Sequence, residues 1–79
     1  EDKDTEAVKE AFGKVLRLKR KALGLSQEEL AARSGIAMRY VSLLECNQRQ
    51  PTISTLYLLS QGLGISLTEF VSEIEEETQ

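Results

Sequence analysis

The chain has 79 residues, 41% hydrophobic and 29% charged, with a net charge of −3, no histidine and one cysteine. That length holds one small domain, 1–79, and a chain this short buries only about 60% of its unfolded surface, so it needs tight helix packing or a partner chain. No apolar run approaches the roughly 18 residues of a membrane span and no signal-peptide pattern opens the chain; Cys46 has no disulfide partner, which fits a reducing cytoplasm, and His/Cys zinc sites and His-dependent catalysis are out.

Strand signals are poor, and helical spacing recurs along the chain. Val8, Phe12, Val15, Leu16 and Leu23 form an apolar stripe from about Thr5 to Leu23, and Gly24 supplies the stop. Lys19 falls on that stripe, its stem along the core and its ammonium toward water. Ser26-Gln27-Glu28-Glu29 reads as a capping box opening a second helix, with Leu30, Ala31 and Ala32 inward and Gly35 ending it. The third helix runs from Ala37, a poor N-cap, to about Cys46, with Val41 and Leu44 inward and Asn47 able to close it in the left-handed conformation. After the polar loop to Pro51, Thr52 caps a fourth helix with Ile53, Leu56, Leu59 and Leu63 inward, ended by Gly62 and Gly64. Ser66 caps a fifth, about 67–76, striped by Leu67, Phe70, Val71 and Ile74, with a frayed end from Glu75 to Gln79. The expectation is an all-α domain of about five helices with its core over about 7–68.

The acidic total is unevenly spread. Residues 1–6 (Glu1, Asp2, Asp4 and Glu6 against Lys3) carry −3, residues 7–68 carry +5, and residues 69–79 carry −5. A basic body between acidic ends is compatible with nucleic acid. Two short helices joined by a tight Ser34-Gly35-Ile36 turn form a helix-turn-helix pattern. In such a unit the third helix enters a major groove about 12 Å wide, and the second lies across the phosphates with its N-terminus toward them.

Gly24-Leu25-Ser26-Gln27-Glu28-Glu29-Leu30-Ala31, Ser34-Gly35-Ile36, Tyr40-Val41-Ser42 and Glu45-Cys46-Asn47-Gln48-Arg49-Gln50-Pro51-Thr52, in that order and spacing, resemble the Cro/CI-type (XRE-like, phage-repressor-like) helix-turn-helix regulators. The resemblance covers roughly residues 7–74 and is strongest to small stand-alone regulators such as restriction–modification controller proteins. It implies a five-helix lambda-repressor-like fold and a dimeric regulator on a palindromic double-stranded DNA operator. Met38, Arg39, Ser42 and Leu43 would face base edges. Ser26, Gln27, Tyr40, Asn47 and Arg49 would meet phosphates, and Arg20 and Glu45 would form a structural ion pair. The sequence departs from the family at Lys19, where an apolar residue is usual, at Ala37, where Ser or Thr is common, and at Asn47, where glycine is usual.

Some readings stay double. Met38 either reads a methyl or covers the turn, and Tyr40 packs its ring with its hydroxyl at the rim. Cys46 is read as a small inert residue near a helix end. Leu67, Phe70, Val71 and Ile74 are expected to cap the core and also to pair in a homodimer, with Val71 and Ile74 as the pairing surface. The acidic ends, if they lie away from the groove, are expected to weaken non-specific binding more than specific binding. RNA polymerase is the further partner such a regulator would exclude or contact. No cofactor, metal or membrane is expected, and no nucleophile–base pair suggests an enzyme. The competing reading is a protein-interaction or antitoxin-like module of the same fold, using the acidic fifth helix.

Overall fold

Pairs of glycine and an apolar residue punctuate the chain and set where its helices stop. At Gly35 the backbone turns left-handed (φ 73°), its N–H returns to the Ala31 carbonyl, and the Ile36 N–H reaches that same carbonyl at 3.1 Å. A residue with a Cβ pays for that conformation, so glycine stands there. Left-handed Gly24 and Gly64 close the first and fourth helices, with the Leu25 N–H on the Arg20 carbonyl and the Ile65 N–H on the Ser60 carbonyl, and Leu25, Ile36 and Ile65 each tuck against the core. The computed structural model describes residues 3–79. Glu1 and Asp2, part of the acidic N-terminal segment, lie outside the described residues. The elements are α1 (Lys3–Ala22), α2 (Gln27–Ser34), α3 (Met38–Glu45), α4 (Ile53–Leu63) and α5 (Leu67–Thr78), with no strand among the described residues.

All five helices feed one core. Phe12, Val15 and Leu16 of α1, Leu30 and Ala31 of α2, Val41 and Leu44 of α3, Leu59 and Leu63 of α4, and Phe70 and Ile74 of α5 are buried together. The Phe12 and Phe70 rings meet at 6.1 Å between centroids, tilted by 54°, and pin α5 onto α1. Outside that pair, Lys19 meets Glu73 and Lys14 meets Glu77, each at 2.8 Å. The end expected to fray is therefore helical to Thr78. Lys19 does not simply reach water; its ammonium is held by a carboxylate of α5.

Four apolar positions differ from the spacing-based expectation. Leu23 (50% exposed) lies in the turn that closes α1, and Val8 (50% exposed) stands on the rim of an open groove of about 410 Å³ rather than in the interior. Ala32 is exposed, leaving Leu30, Ala31 and Ser34 on the inner face. Ile53 (67% exposed) faces outward because the inner line of α4 runs through Thr55, Leu59, Ser60, Gly62 and Leu63. Small residues on that line bring the α4 backbone onto α2.

Gly62 is the tightest point of that approach and does not end the helix; Gly64 does. A Cβ at Gly62 would fall 2.1 Å from Ser34 Oγ, 3.2 Å from Ser34 Cβ and 3.3 Å from Leu30 Cδ1. The Ser34 hydroxyl is itself buried with no hydrogen-bond partner. Overpacking costs about 1–3 kcal/mol and the gain in helix propensity returns about 1. Gly62→Ala is expected to lower the urea midpoint, while Ser34→Ala alone leaves it level or raises it by shedding an orphaned hydroxyl. The double variant should recover most of the Gly62→Ala loss; equal losses with and without Ser34 would refute this packing account.

Candidate nucleic-acid interface

The N-terminus of α2 is built by a reciprocal cap. The Glu29 N–H donates to Ser26 Oγ at 3.0 Å, and the Ser26 N–H donates to the Glu29 carboxylate at 2.8 Å. The Ser26 side chain thus serves the helix end. From there α2 runs to the Gly35 turn, and α3 follows from Ala37, which makes no side-chain cap.

Burying Val41 and Leu44 fixes the roll of α3. Its outer face presents exposed Met38 (51%) and Arg39 at the N-terminal end and half-buried Ser42 and Leu43 one turn on. Tyr40 is half-buried, packed against the core. The loop after α3 carries exposed Arg49. Asn47 closes α3 at φ 62°, and the Gln48 N–H returns to the Leu43 carbonyl at 2.9 Å. Its Oδ1 lies where a Cβ on Gly13 of α1 would come within 2.6 Å, so the Asn47 side chain fills the seam between α1 and α3.

One ion pair ties these parts together. Arg20 Nε and Nη2 donate to the two oxygens of Glu45 at 2.7 and 2.9 Å, and Nη1 donates to the Leu25 carbonyl at 2.8 Å. The two side chains are 10% and 3% exposed. Glu45 raises the Arg20 pKa further above its ordinary value, so the charge is never in question. Gln27 Nε2 also donates to Glu45, at 3.0 Å, so the amide expected to hold a phosphate carries an internal bond as well.

In α5 the four residues expected at a dimer surface divide. Phe70 (0%) and Ile74 (7%) are buried in their own chain, because α5 needs them to close the core over Phe12. Only Val71 (42% exposed) and half-buried Leu67 are open to a partner. Val71 lines the groove with Val8, Phe12, Pro51 and Leu56. Two of the acidic groups the competing reading would use, Glu73 and Glu77, are turned onto α1 lysines. Cys46 is free and exposed, and among the described residues no group of side chains could hold a metal ion.

Sequence reasoning missed the Gln27–Glu45 link, the Leu25 carbonyl and the Gly13 seam. Gly13 did leave a signal. Glycine inside a helix costs about 1 kcal/mol against alanine, and its place beside Phe12 marks a close approach.

Comparison with known proteins places this geometry. The helix-turn-helix family profile (HTH_3) matches residues 16–70. An HTH-type transcriptional regulator of Sinorhizobium fredii is 50% identical over 57 residues, covering 72% of this chain and 74% of the relative. The control protein C.MunI of a Mycoplasma species is 38% identical over 71 residues, 89% of this chain and 96% of its own. Among solved structures, the restriction–modification controller protein C.Esp1396I, as a tetramer in complex with its natural 35-base-pair operator, superposes with a TM-score of 0.84. It is 31% identical and covers 90% of this chain and 93% of that one.

Two outcomes follow for stability. Removing one side of a buried pair leaves the other charge uncompensated, so Glu45→Ala should cost about 3–5 kcal/mol in urea unfolding; a loss near that of an exposed pair would refute burial as the reason. Glu29 is held below the ordinary glutamate value of 4.5, chiefly by the Ser26 N–H. Its contribution is therefore present above that value and lost as the pH falls through the lowered one. Glu29→Gln should flatten that part of the acid limb, and an unchanged limb would show that the cap does not titrate with folding.

Proposed function

The chain belongs to the helix-turn-helix family, and from that premise we propose that it is a sequence-specific double-stranded DNA-binding transcriptional regulator, acting as a homodimer on a palindromic operator. The observation that carries the reading is the outer face of α3. Met38 and Arg39 stand exposed at its N-terminal end, and the capped N-terminus of α2 and the Asn47–Arg49 loop both lie at its other end, beside Glu45. With α3 in the major groove, Met38, Arg39, Ser42 and Leu43 face base edges. Ser26, Gln27, Tyr40, Asn47 and Arg49 lie along the backbone; Ser26 and Asn47 do so from side chains that also serve the fold. Arg39 has guanine O6 and N7 as its bidentate target. The operator-bound relative supports the reading, because this chain shares its fold at 31% identity.

The homodimer rests on a narrower surface than the α5 stripe. Leu67 and Val71 are its α5 part, joined by Leu56 and Val8 around the groove. Two heads paired this way read half-sites about 34–36 Å apart. The role is non-catalytic and cytoplasmic, and it works by excluding RNA polymerase from a promoter or contacting it there. No described helix is long and apolar enough to cross a membrane.

Selection of duplexes from a random pool tests the reading directly: an enriched palindrome, bound more weakly as salt rises, is expected, and no enrichment refutes it. On the enriched duplex, Arg39→Ala should relax one base-pair position at a cost of roughly 1–3 kcal/mol, whereas Arg49→Ala should weaken all sequences alike and reduce the salt slope by about 1. For assembly, Val71→Glu should give a folded monomer in sedimentation, while Phe70→Ala should lose about 3–5 kcal/mol of stability instead. A Val71→Glu protein that stays dimeric would move the pairing surface elsewhere.

A further inference from the structure

Gln27 and Glu45 stand 18 positions apart, on α2 and α3, and share one hydrogen bond. We propose that Glu45 is a positioning residue for DNA: besides its ion pair with Arg20, its carboxylate orients the Gln27 amide toward a backbone phosphate. The inference rests on the regulator reading above and goes beyond it by giving the buried carboxylate a part in binding.

The chemistry is constrained. An ionised carboxylate only accepts, so the atom of Gln27 that faces it must be nitrogen. Glu45 Oε1 takes the Gln27 Nε2–H at 3.0 Å and the Arg20 Nη2–H at 2.9 Å, while Oε2 takes the Arg20 Nε–H at 2.7 Å. A primary amide carries a second N–H, and fixing the first fixes the plane in which the second points. Gln27 is only half-buried and is the first residue of α2, where the backbone N–H groups and the helix dipole favour an anion. A free glutamine would lose its rotamer freedom on meeting a phosphate; this one is ordered beforehand. Arg20 offsets the Glu45 charge, so the carboxylate orients the amide without repelling the phosphate.

The test uses the duplex enriched from a random pool, with ethylation interference along its backbone. In the unmodified protein, ethylating one phosphate per half-site should weaken binding, and that sensitivity should vanish in Gln27→Ala, with an affinity loss of about two- to tenfold. It should vanish equally in Glu45→Leu, which offers no acceptor, studied below its thermal midpoint, and adding Gln27→Ala to Glu45→Leu should cost nothing more. A purely structural Glu45 would leave the ethylation pattern intact and the two losses additive, which overturns the proposal. A second readout needs no Glu45 variant. In side-chain amide spectra, one Gln27 proton should stay hydrogen-bonded as duplex is added while the other shifts; loss of the internal bond on binding also overturns it. If the unmodified protein enriches no duplex, the regulator reading falls and takes this inference with it. If it binds tightly and Gln27→Ala binds equally well, the inference alone falls.

Discussion

A single guanidinium holds the helix-turn-helix half of this molecule in register. Arg20, at the end of α1, spends its donors on Glu45 at the end of α3 and on the Leu25 carbonyl just before α2. The two helices of the helix-turn-helix thus hang from one point on the first helix. Burying two charges is expensive, and the geometry here is of the kind that offsets it: a bidentate fork, a backbone carbonyl for a remaining donor and an amide for a remaining lone pair. An apolar trio of the same volume could match its stability. It could not specify the angle between α2 and α3 as sharply, because hydrophobic contact has no direction.

Given that pivot, the remaining geometry is set by how closely backbones can approach. Gly13 lets the end of α3 and the Asn47 amide sit on α1, and Gly62 lets α4 lie on Ser34 and Leu30. Both glycines stand inside helices, where they cost stability, and both are placed where any side chain would push a neighbour away. The same economy explains the turns. Gly24, Gly35 and Gly64 reverse the chain within a residue or two, so five helices fit into 79 residues with an apolar residue after each turn returned to the core.

Element type and order were legible from caps and periodicity. Ser26, Thr52 and Ser66 cap where their spacing indicates, and Ala37 makes no cap, as its side chain dictates. What periodicity could not give was the roll of each helix. A stripe of apolar residues is wider than the line that is buried, and the buried line is chosen by neighbours. Ile53 lost to Thr55 and Ser60 because the approach of α4 to α2 favours small side chains. Phe70 and Ile74 were drawn wholly inward because α5 has Phe12 to cover, which leaves Val71 and Leu67 to the outside. The candidate site was legible in composition, since Met38, Arg39 and Arg49 are exposed. Its internal bonding was not, because Gln27 and Glu45 are joined by folding rather than by spacing.

The charge pattern also changes meaning once folded. In sequence, a basic body is flanked by acidic ends. In the structure, the acidic end lies along α1 and meets two of its lysines, Lys14 and Lys19. Pairs at the surface like these, half-buried at most, add little stability, about 1 kcal/mol or less each. Their larger effect is on the field: they cancel positive charge on the side of α1 that carries α5. Among the described residues, Arg39 and Arg49, on α3 and the loop that follows it, have no such carboxylate, and the ion pair that α3 forms is the buried one between Glu45 and Arg20. Of the thirteen acids in a protein of net charge −3, Glu73 and Glu77 are in this way turned onto α1 rather than toward α3.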